Sequence, residues 1–319
     1  MNILLTTKLP VEGFESISEN HNLIIPQTTK FSQKELEKYL PETDILIPTF
    51  DYKITEEMMN MAPKLQLITN FGVGFNNIDI VAATARGIVV TNTPEPVIIP
   101  TAEQAFALML AICHRTAELD RKMRLPNSPI KIGVMNNLGL GLYGKTLGII
   151  GLGNIGKAVA ERAIACGMKI VYHNRRQMSN EIEDKYKAAY CEDITSLLTQ
   201  SDIVSLHMPY TPESHHLIDK QRLSEMKKGA VLINTSRGAC VDEAALIQSL
   251  QSGHLFGAAL DVFEFEPNIS PELFELDNVI LSPHIGTGTI DGRIAMCHCC
   301  SDNIINYLNN SHDRLNKVN

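Results

Sequence analysis

The 319-residue sequence has no tryptophan, no long apolar run and no excess of basic residues. Each absence excludes something. The formal charge of −8 disfavours nucleic acid or an anionic membrane surface as the main partner, so any anion the protein binds must be held locally. No apolar run approaches the roughly 20 residues of a bilayer span. Met1 leads straight into the strand-like Asn2-Ile3-Leu4-Leu5, not into a basic segment followed by an apolar signal core, so a cytoplasmic protein is expected. Cysteines stand at 113, 166, 191, 240, 297, 299 and 300, an odd and scattered set unlike a secreted disulfide framework, and reduced thiols are expected. The run Cys297-His298-Cys299-Cys300 invites a metal reading. On a helix only Cys297 and Cys300 share a face, and no second pair at zinc-site spacing occurs elsewhere; no metal is expected, and these are thiols on a C-terminal helix.

What is present centres on Lys145–Arg176. An apolar run, Leu147–Ile150, passes through Gly151, Gly153 and Gly156 into a helical segment and then a second apolar run, Lys169–Tyr172. A bare G-x-G-x-x-G is weak, but here it lies between a buried strand and a helix start. Gly151 permits the tight turn, Gly153 lets backbone N–H groups approach a pyrophosphate, and Gly156 lets helix and strand pack closely. Asn174 stands 23 residues after Gly151, where an NAD-binding unit carries an acid for the ribose hydroxyls, and Arg175 and Arg176 follow it. A neutral donor beside two cations suits a 2′-phosphate, so NADP(H) is expected over NAD(H), with NAD(H) possible.

A chain this long is expected to form two domains, and 44% hydrophobic composition is ordinary for a globular protein. The first hundred residues alternate strand-like runs at 3–5, 23–25, 45–47, 67–69 and 88–90 with amphipathic segments, the pattern of a parallel sheet covered by helices. After one of these strands comes Asn70-Phe71-Gly72-Val73-Gly74-Phe75-Asn76-Asn77, a loop whose glycines let the N–H groups of Val73 and Gly74 face a small anion. It could equally be an ordinary strand-to-helix turn. Three prolines interrupt 91–100, Thr101–Met123 reads as one helix, and 126–144 as loop. Further strand and helix patterns run to about Pro283, and a last helix spans about Thr289–Leu308.

Three chemically capable residues follow strand-like runs. Arg237 lies in Thr235-Ser236-Arg237-Gly238, Glu266 in Asp261-Val262-Phe263-Glu264-Phe265-Glu266-Pro267, and His284 in Ser282-Pro283-His284-Ile285-Gly286. Such loops lie at the carboxyl ends of strands, where open α/β sheets bind ligands. An imidazole can move a hydroxyl proton, a neighbouring carboxylate favours the imidazolium and orients its ring, and a guanidinium can clamp a carbonyl and a carboxylate. Asp261 could accept a hydrogen bond from a nicotinamide amide or cap the next segment. Phe50 and Tyr52, after the third strand, are candidate pocket residues and equally candidate packing residues.

The stretches Gly151–Gly156, Asn234–Gly238, Ala259–Phe263 and Ser282–Gly286, with Leu206–Ser214 and Gly72–Gly74, together resemble the D-isomer-specific 2-hydroxyacid dehydrogenase family. The resemblance covers nearly the whole chain. It implies two doubly wound α/β domains: a Rossmann cofactor domain (99–287) inserted in a flavodoxin-like substrate domain (1–98 plus 288–319). It implies Arg237, Glu266 and His284 as the catalytic trio and the Val73 and Gly74 amides as the substrate carboxylate site. For the cofactor it implies Thr101, Asn154, Ile155, Met208, Pro209, Thr235, Ser236, Asp261 and Gly286 beside the glycines and residues 174–176. Hydride transfer from NAD(P)H to the C2 carbonyl of a small 2-oxo acid is then expected, with glyoxylate, hydroxypyruvate or a 2-ketoaldonate as substrate and a homodimer as the assembly. Two alternatives stand beside it. One is a D-3-phosphoglycerate dehydrogenase-like enzyme, the weaker expectation because no appended regulatory domain of the kind many of those enzymes carry is expected here, although short forms exist. The other is a corepressor-like nucleotide-sensing scaffold, which would want extra tails. The sequence departs from the family pattern at the missing Trp before Lys145, at Asn76 in place of an Asp, and at Asn174 in place of an acid.

Overall fold

The computed structural model describes residues 1–319 and contains twelve short strands in two sheets, all of whose pairings are parallel. The chain divides into two compact units, Met1–Pro100 with Thr287–Asn319, and Thr101–Gly286.

In the first unit, β1 (Asn2–Leu5), β2 (Asn22–Ile24), β3 (Ile45–Ile47), β4 (Leu67–Thr69) and β5 (Val89–Thr91) are ordered β2-β1-β3-β4-β5. That is the doubly wound order of a flavodoxin-like sheet, with the switch between β1 and β3. The central strands are short runs of Ile and Leu because both faces are covered. Leu4, Leu46 and Ile68 point to one layer with Leu36, Met58 and Ala83. Ile3, Leu5, Ile45 and Ile47 point to the other, with Phe14, Ile17 and the helix Ile290–Leu308. That helix contributes Met296, Cys297, Cys300 and Ile304 to the core. It lies so close to the turn at Glu12–Phe14 that a Cβ on Gly13 would fall 2.2 Å from Cys297 Cβ. Burial pushes the Cys297 thiol up to about 12 and Cys300 well above its ordinary value, while His298 faces solvent. The run 297–300 therefore does not converge on one point. The last residues follow β5: Val318 N–H donates to Val90 O at 2.9 Å, and Asn92 N–H to Asn316 O at 3.1 Å.

In the second unit, β6 (Thr146–Ile150), β7 (Lys169–His173), β8 (Ala188–Tyr190), β9 (Ile203–Leu206), β10 (Val231–Asn234), β11 (Gly257–Leu260) and β12 (Val279–Leu281) are ordered β12-β11-β10-β9-β6-β7-β8. This is the Rossmann order extended by one strand, with the switch between β6 and β9. Both sheets agree with the fold class expected from the sequence.

One expectation fails. Thr101–Met123 is not a single helix but two, Ile98–Cys113 and Thr116–Met123, parted at Arg115, whose φ is 57°. The loop beyond accounts for the break. Leu140 N–H takes the Cys113 carbonyl at 2.7 Å, and Arg115 forks onto Glu118 with two 2.7 Å bonds, so the first helix is capped from outside. The first helix also begins three residues early, since Pro100 is tolerated in its first turn. β8 and the helices Asn180–Tyr186 and Ile194–Gln200 were not anticipated.

Candidate functional site

In the second unit the carboxyl ends of β10, β11 and β12 are flush, because Asn234 pairs with Leu260 and Leu260 with Leu281. The loops carrying Arg237, Glu266 and His284 therefore leave from one edge of the sheet. The first two are pressed together at Gly238, where a Cβ would lie 1.9 Å from the Phe263 carbonyl carbon; only glycine fits. Asn234 sets the Arg237 turn, its Oδ1 accepting from Ser236 N at 3.0 Å and its Nδ2 donating to Arg237 O at 3.1 Å.

His284 has a left-handed backbone, φ 54°, which its N–H stabilises by donating to Asp261 O at 2.8 Å and Ser282 O at 3.0 Å. Its Nδ1 lies 2.9 Å from Glu266 Oε2, while Glu266 Oε1 accepts from Phe263 N–H at 3.0 Å. Burial opposes ionisation of Glu266, but the hydrogen bond and charge of His284, the Phe263 N–H and the charge of Arg237 outweigh it. The carboxyl lies below its ordinary value. Arg237 is partly buried; burial lowers its pKa and the charge of Glu266 works the other way. Asp261 is almost fully buried, and burial raises its pKa. Its Oδ1 already accepts from Ser282 Oγ at 2.6 Å and Ile285 N–H at 3.0 Å, and Gln104 donates to the same Ser282 hydroxyl at 2.9 Å. Asp261 thus braces the turn that presents His284. A Cβ on Gly286 would lie 3.3 Å from Asp261 Oδ2 and 3.4 Å from Thr101 Cγ2, so Gly286 and Thr101 line the same turn.

At the switch point the three glycines differ in surroundings. Gly151 has φ 98°, and a Cβ there would lie 2.7 Å from Met208 N; on Gly156 a Cβ would lie 2.4 Å from Gly151 O; on Gly153 it would meet nothing within 4 Å. Gly153 also caps the helix Asn154–Ala165 with no side-chain hydrogen bond, so the first N–H groups, at Asn154, Ile155 and Gly156, stand uncapped beside open space. That is a cradle for a pyrophosphate. Nearby, the buried Thr235 hydroxyl has no protein partner. Pro209 is exposed, Met208 partly buried and Ser236 buried. Asn174 Oδ1 accepts from Leu152 N–H at 2.7 Å, which ties the end of β7 to the glycine turn and leaves the amide NH₂ without a protein partner. Arg175 and Arg176 are exposed and form no ion pair. The residues present fit a dinucleotide.

In the first unit, the N–H groups of Val73 and Gly74 have no partner within the protein. Tyr52 is buried and its hydroxyl donates to Phe31 O, a packing role; Phe50 is exposed.

Residues 106–286 match the family described as D-isomer specific 2-hydroxyacid dehydrogenase, NAD binding domain. Over 308 residues the chain is 43% identical to a glyoxylate reductase of Thermococcus litoralis, covering 95% of this chain and 92% of the relative. The chain belongs to the D-isomer-specific 2-hydroxyacid dehydrogenase family. Among solved structures, a Thermus thermophilus protein superposes with a TM-score of 0.92 at 36% identity, covering all of both chains. A glyoxylate reductase from Paecilomyes thermophila does so with a TM-score of 0.87 at 30% identity, covering 100% of this chain and 98% of that one. As a member of this dehydrogenase family, the protein uses a nicotinamide cofactor.

Two features of this dehydrogenase, one in each unit, were not read from its sequence. Glu264, two residues before Glu266, accepts from His216 Nε2 at 2.6 Å and from Glu243 N–H at 3.0 Å, while the buried Glu243 carboxylate accepts from Glu264 N–H at 3.1 Å. This reciprocal pin fixes the loop that carries Glu266. The other, in the first unit, is the set of asparagines beneath Val73 and Gly74. Side chains that act through backbone groups leave no motif at fixed spacing, and only the recurrence of asparagine at 70, 76, 77 and 92 could have hinted at the second.

Proposed function

We propose that the protein is an NADPH-preferring reductase of small 2-oxo acids that acts as a homodimer. The observation carrying this reading is the 2.9 Å contact of His284 Nδ1 with Glu266 on the sheet edge that also bears Arg237 and the glycine cradle. The cofactor, when bound, supplies the hydride that adds to the C2 carbonyl carbon. Arg237 holds the carbonyl and carboxylate oxygens through its fork of donors. Val73 and Gly74 offer two N–H groups to the carboxylate. With His284 Nδ1 engaged by Glu266, Nε2 is the ring nitrogen that delivers a proton to the developing alkoxide, and Glu266 stabilises the imidazolium from which that proton comes. The product is a D-2-hydroxy acid.

Glyoxylate, hydroxypyruvate and a 2-ketoaldonate are the proposed substrates, glyoxylate first because the Thermococcus litoralis relative is a glyoxylate reductase. For NADPH over NADH the support is the free amide of Asn174 beside two arginines outside any ion pair. For self-association it is the loop 126–144, where Ile132 is 97% and Val134 93% exposed, with Met135, Leu138 and Tyr143 also exposed. Apolar side chains so exposed fit burial against a second copy.

A screen of 2-oxo acids with both reduced cofactors tests the reading. Turnover of at least one with NADPH is expected. Tight cofactor binding without turnover of any would overturn it in favour of a nucleotide-sensing role. Light scattering at micromolar concentration tests the dimer, and a monomeric mass would remove that part alone.

A further inference from the structure

The loop after β4 is gripped from beneath by side-chain amides. Asn70 Nδ2 donates to Gly74 O at 2.8 Å and to Gly72 O at 3.3 Å, and Thr93 N–H adds a third donor, to Gly72 O at 3.2 Å. Asn92 Nδ2 donates to Val73 O at 2.8 Å. Asn77 locks Asn70 in turn, its Nδ2 donating to Asn70 Oδ1 at 3.2 Å and to the carbonyls of Thr49 and Tyr52 at 3.2 and 3.3 Å. Asn92 is held through its own backbone, whose carbonyl accepts from Asn303 Nδ2 at 3.0 Å. Asn70 is 0% and Asn92 8% exposed, so these bonds do not compete freely with water.

In a trans peptide the C=O of one residue and the N–H of the next point in opposite directions. Holding the carbonyls of Gly72, Val73 and Gly74 therefore turns the N–H groups of Val73, Gly74 and Phe75 the other way. None of these three N–H groups has a partner in the protein. A loop with glycine at two of three positions would otherwise sample many peptide orientations. We infer that Asn70 and Asn92 are positioning residues that fix the Val73 and Gly74 peptide planes, and so set the preference for a substrate bearing a carboxylate over one with a neutral group in its place. The inference rests on the proposed carboxylate role of the Val73 and Gly74 amides. Asparagine suits the task because its side chain offers a donor to a carbonyl and an acceptor to a neighbouring asparagine at once. Aspartate has the same shape but would face the Val73 carbonyl with a second acceptor. Alanine would leave that peptide free to rotate.

The test compares glyoxylate with its uncharged amide, glyoxylamide, in the unmodified protein, Asn92→Asp, Asn92→Ala and Asn70→Ser. Misaligning one charge-assisted hydrogen bond should lower the kcat/KM ratio of acid to amide about tenfold or more, mainly through KM for the acid. Oxalate binding to the NADPH-loaded enzyme should weaken in step, while the Kd for NADPH and the amide's kinetics stay within about twofold. Asn92→Asp should be worse than Asn92→Ala. A fold defect would lower both substrates together, and Asn70→Ser, which keeps a hydroxyl donor, serves if the Asn92 variants are not recovered folded. An unchanged acid-to-amide ratio, or an equal fall for both substrates in every folded variant, overturns the inference. If the unmodified protein reduces no 2-oxo acid, the functional reading has failed first and the inference falls with it. If it reduces glyoxylate and the ratio holds in the variants, only the inference fails.

Discussion

His284 Nδ1 lies 2.9 Å from Glu266 Oε2, although the two residues are eighteen apart in sequence and stand on loops from different strands. The pair is held at both ends. Phe263 N–H fixes the other carboxylate oxygen, and Asp261 fixes the backbone of His284 and its neighbour Ile285. Ring orientation thus depends on the carboxylate, and in the proposed reaction proton delivery depends on both. His284→Ala should lower turnover roughly two to four orders of magnitude, as for loss of a general acid, with cofactor affinity nearly unchanged. Near-normal turnover would remove His284 from the chemistry.

Glu266 bears on pH. Its carboxyl lies below the ordinary value of 4.5, so it stays ionised through the range in which the enzyme is assayed and its own protonation does not limit activity above about pH 5. An acid limb in the pH–rate profile of kcat/KM caused by Glu266 should therefore lie below about 4.5 and be absent in Glu266→Gln, whose kcat should fall roughly tenfold or more. A limb above pH 5 that disappears in the variant, or an unchanged kcat, would contradict the pairing.

Arg237→Lys keeps the charge and loses the planar fork. Severe impairment of kcat/KM is expected, because an ammonium cannot bridge a carbonyl and a carboxylate as a guanidinium does. Unchanged kcat/KM would mark Arg237 as a purely structural residue of the partly buried turn.

The cofactor preference should move with two residues. In Asn174→Asp with Arg175→Ala, a carboxylate replaces the neutral amide and one cation is lost, so the kcat/KM ratio of NADPH to NADH should fall. Equal kcat/KM for the two cofactors in the unmodified protein would refute the preference and leave hydride transfer untouched.

Away from the site, Glu118 is a sensitive point for acid stability. It is 8% exposed, and the Arg115 hydrogen bonds, aided by Lys122 and opposed by burial, hold its carboxyl at about 2 against an ordinary 4.5. A depressed folded pKa contributes stability that is present above the ordinary value and lost as pH falls toward the folded one. At most about 3 kcal/mol should therefore disappear between about pH 5 and pH 2. Urea midpoints across that range should fall less steeply in Glu118→Gln, and parallel curves would show the cluster to be inert.

How far the molecule was legible in its residues depended on whether a feature is local. The strands of the first sheet are runs of three or four apolar residues bounded by turns, and the glycine turn from β6 is contiguous, so both could be read. The trio could be placed because Arg237, Glu266 and His284 each follow a strand. β8 was missed because Ala188-Ala189-Tyr190 is too short to show a period. The break at Arg115 was missed because it depends on Leu140, twenty-five residues on, taking the Cys113 carbonyl. The asparagine clamp was missed because its partners are carbonyls, which every residue possesses.

The insertion of one unit within the other has a consequence for biosynthesis. Residues 101–286 form a contiguous stretch, whereas the sheet of the first unit lacks part of one covering layer until Met296, Cys297, Cys300 and Ile304 have been made. A chain emerging from the ribosome can complete its Rossmann unit first, while the N-terminal hundred residues wait with Ile3, Leu5, Ile45 and Ile47 only partly covered, by Phe14 and Ile17. Chains truncated after residue 286 and released from the ribosome should therefore resist protease across the second unit and be cut in the first, the reverse of the usual N-to-C order.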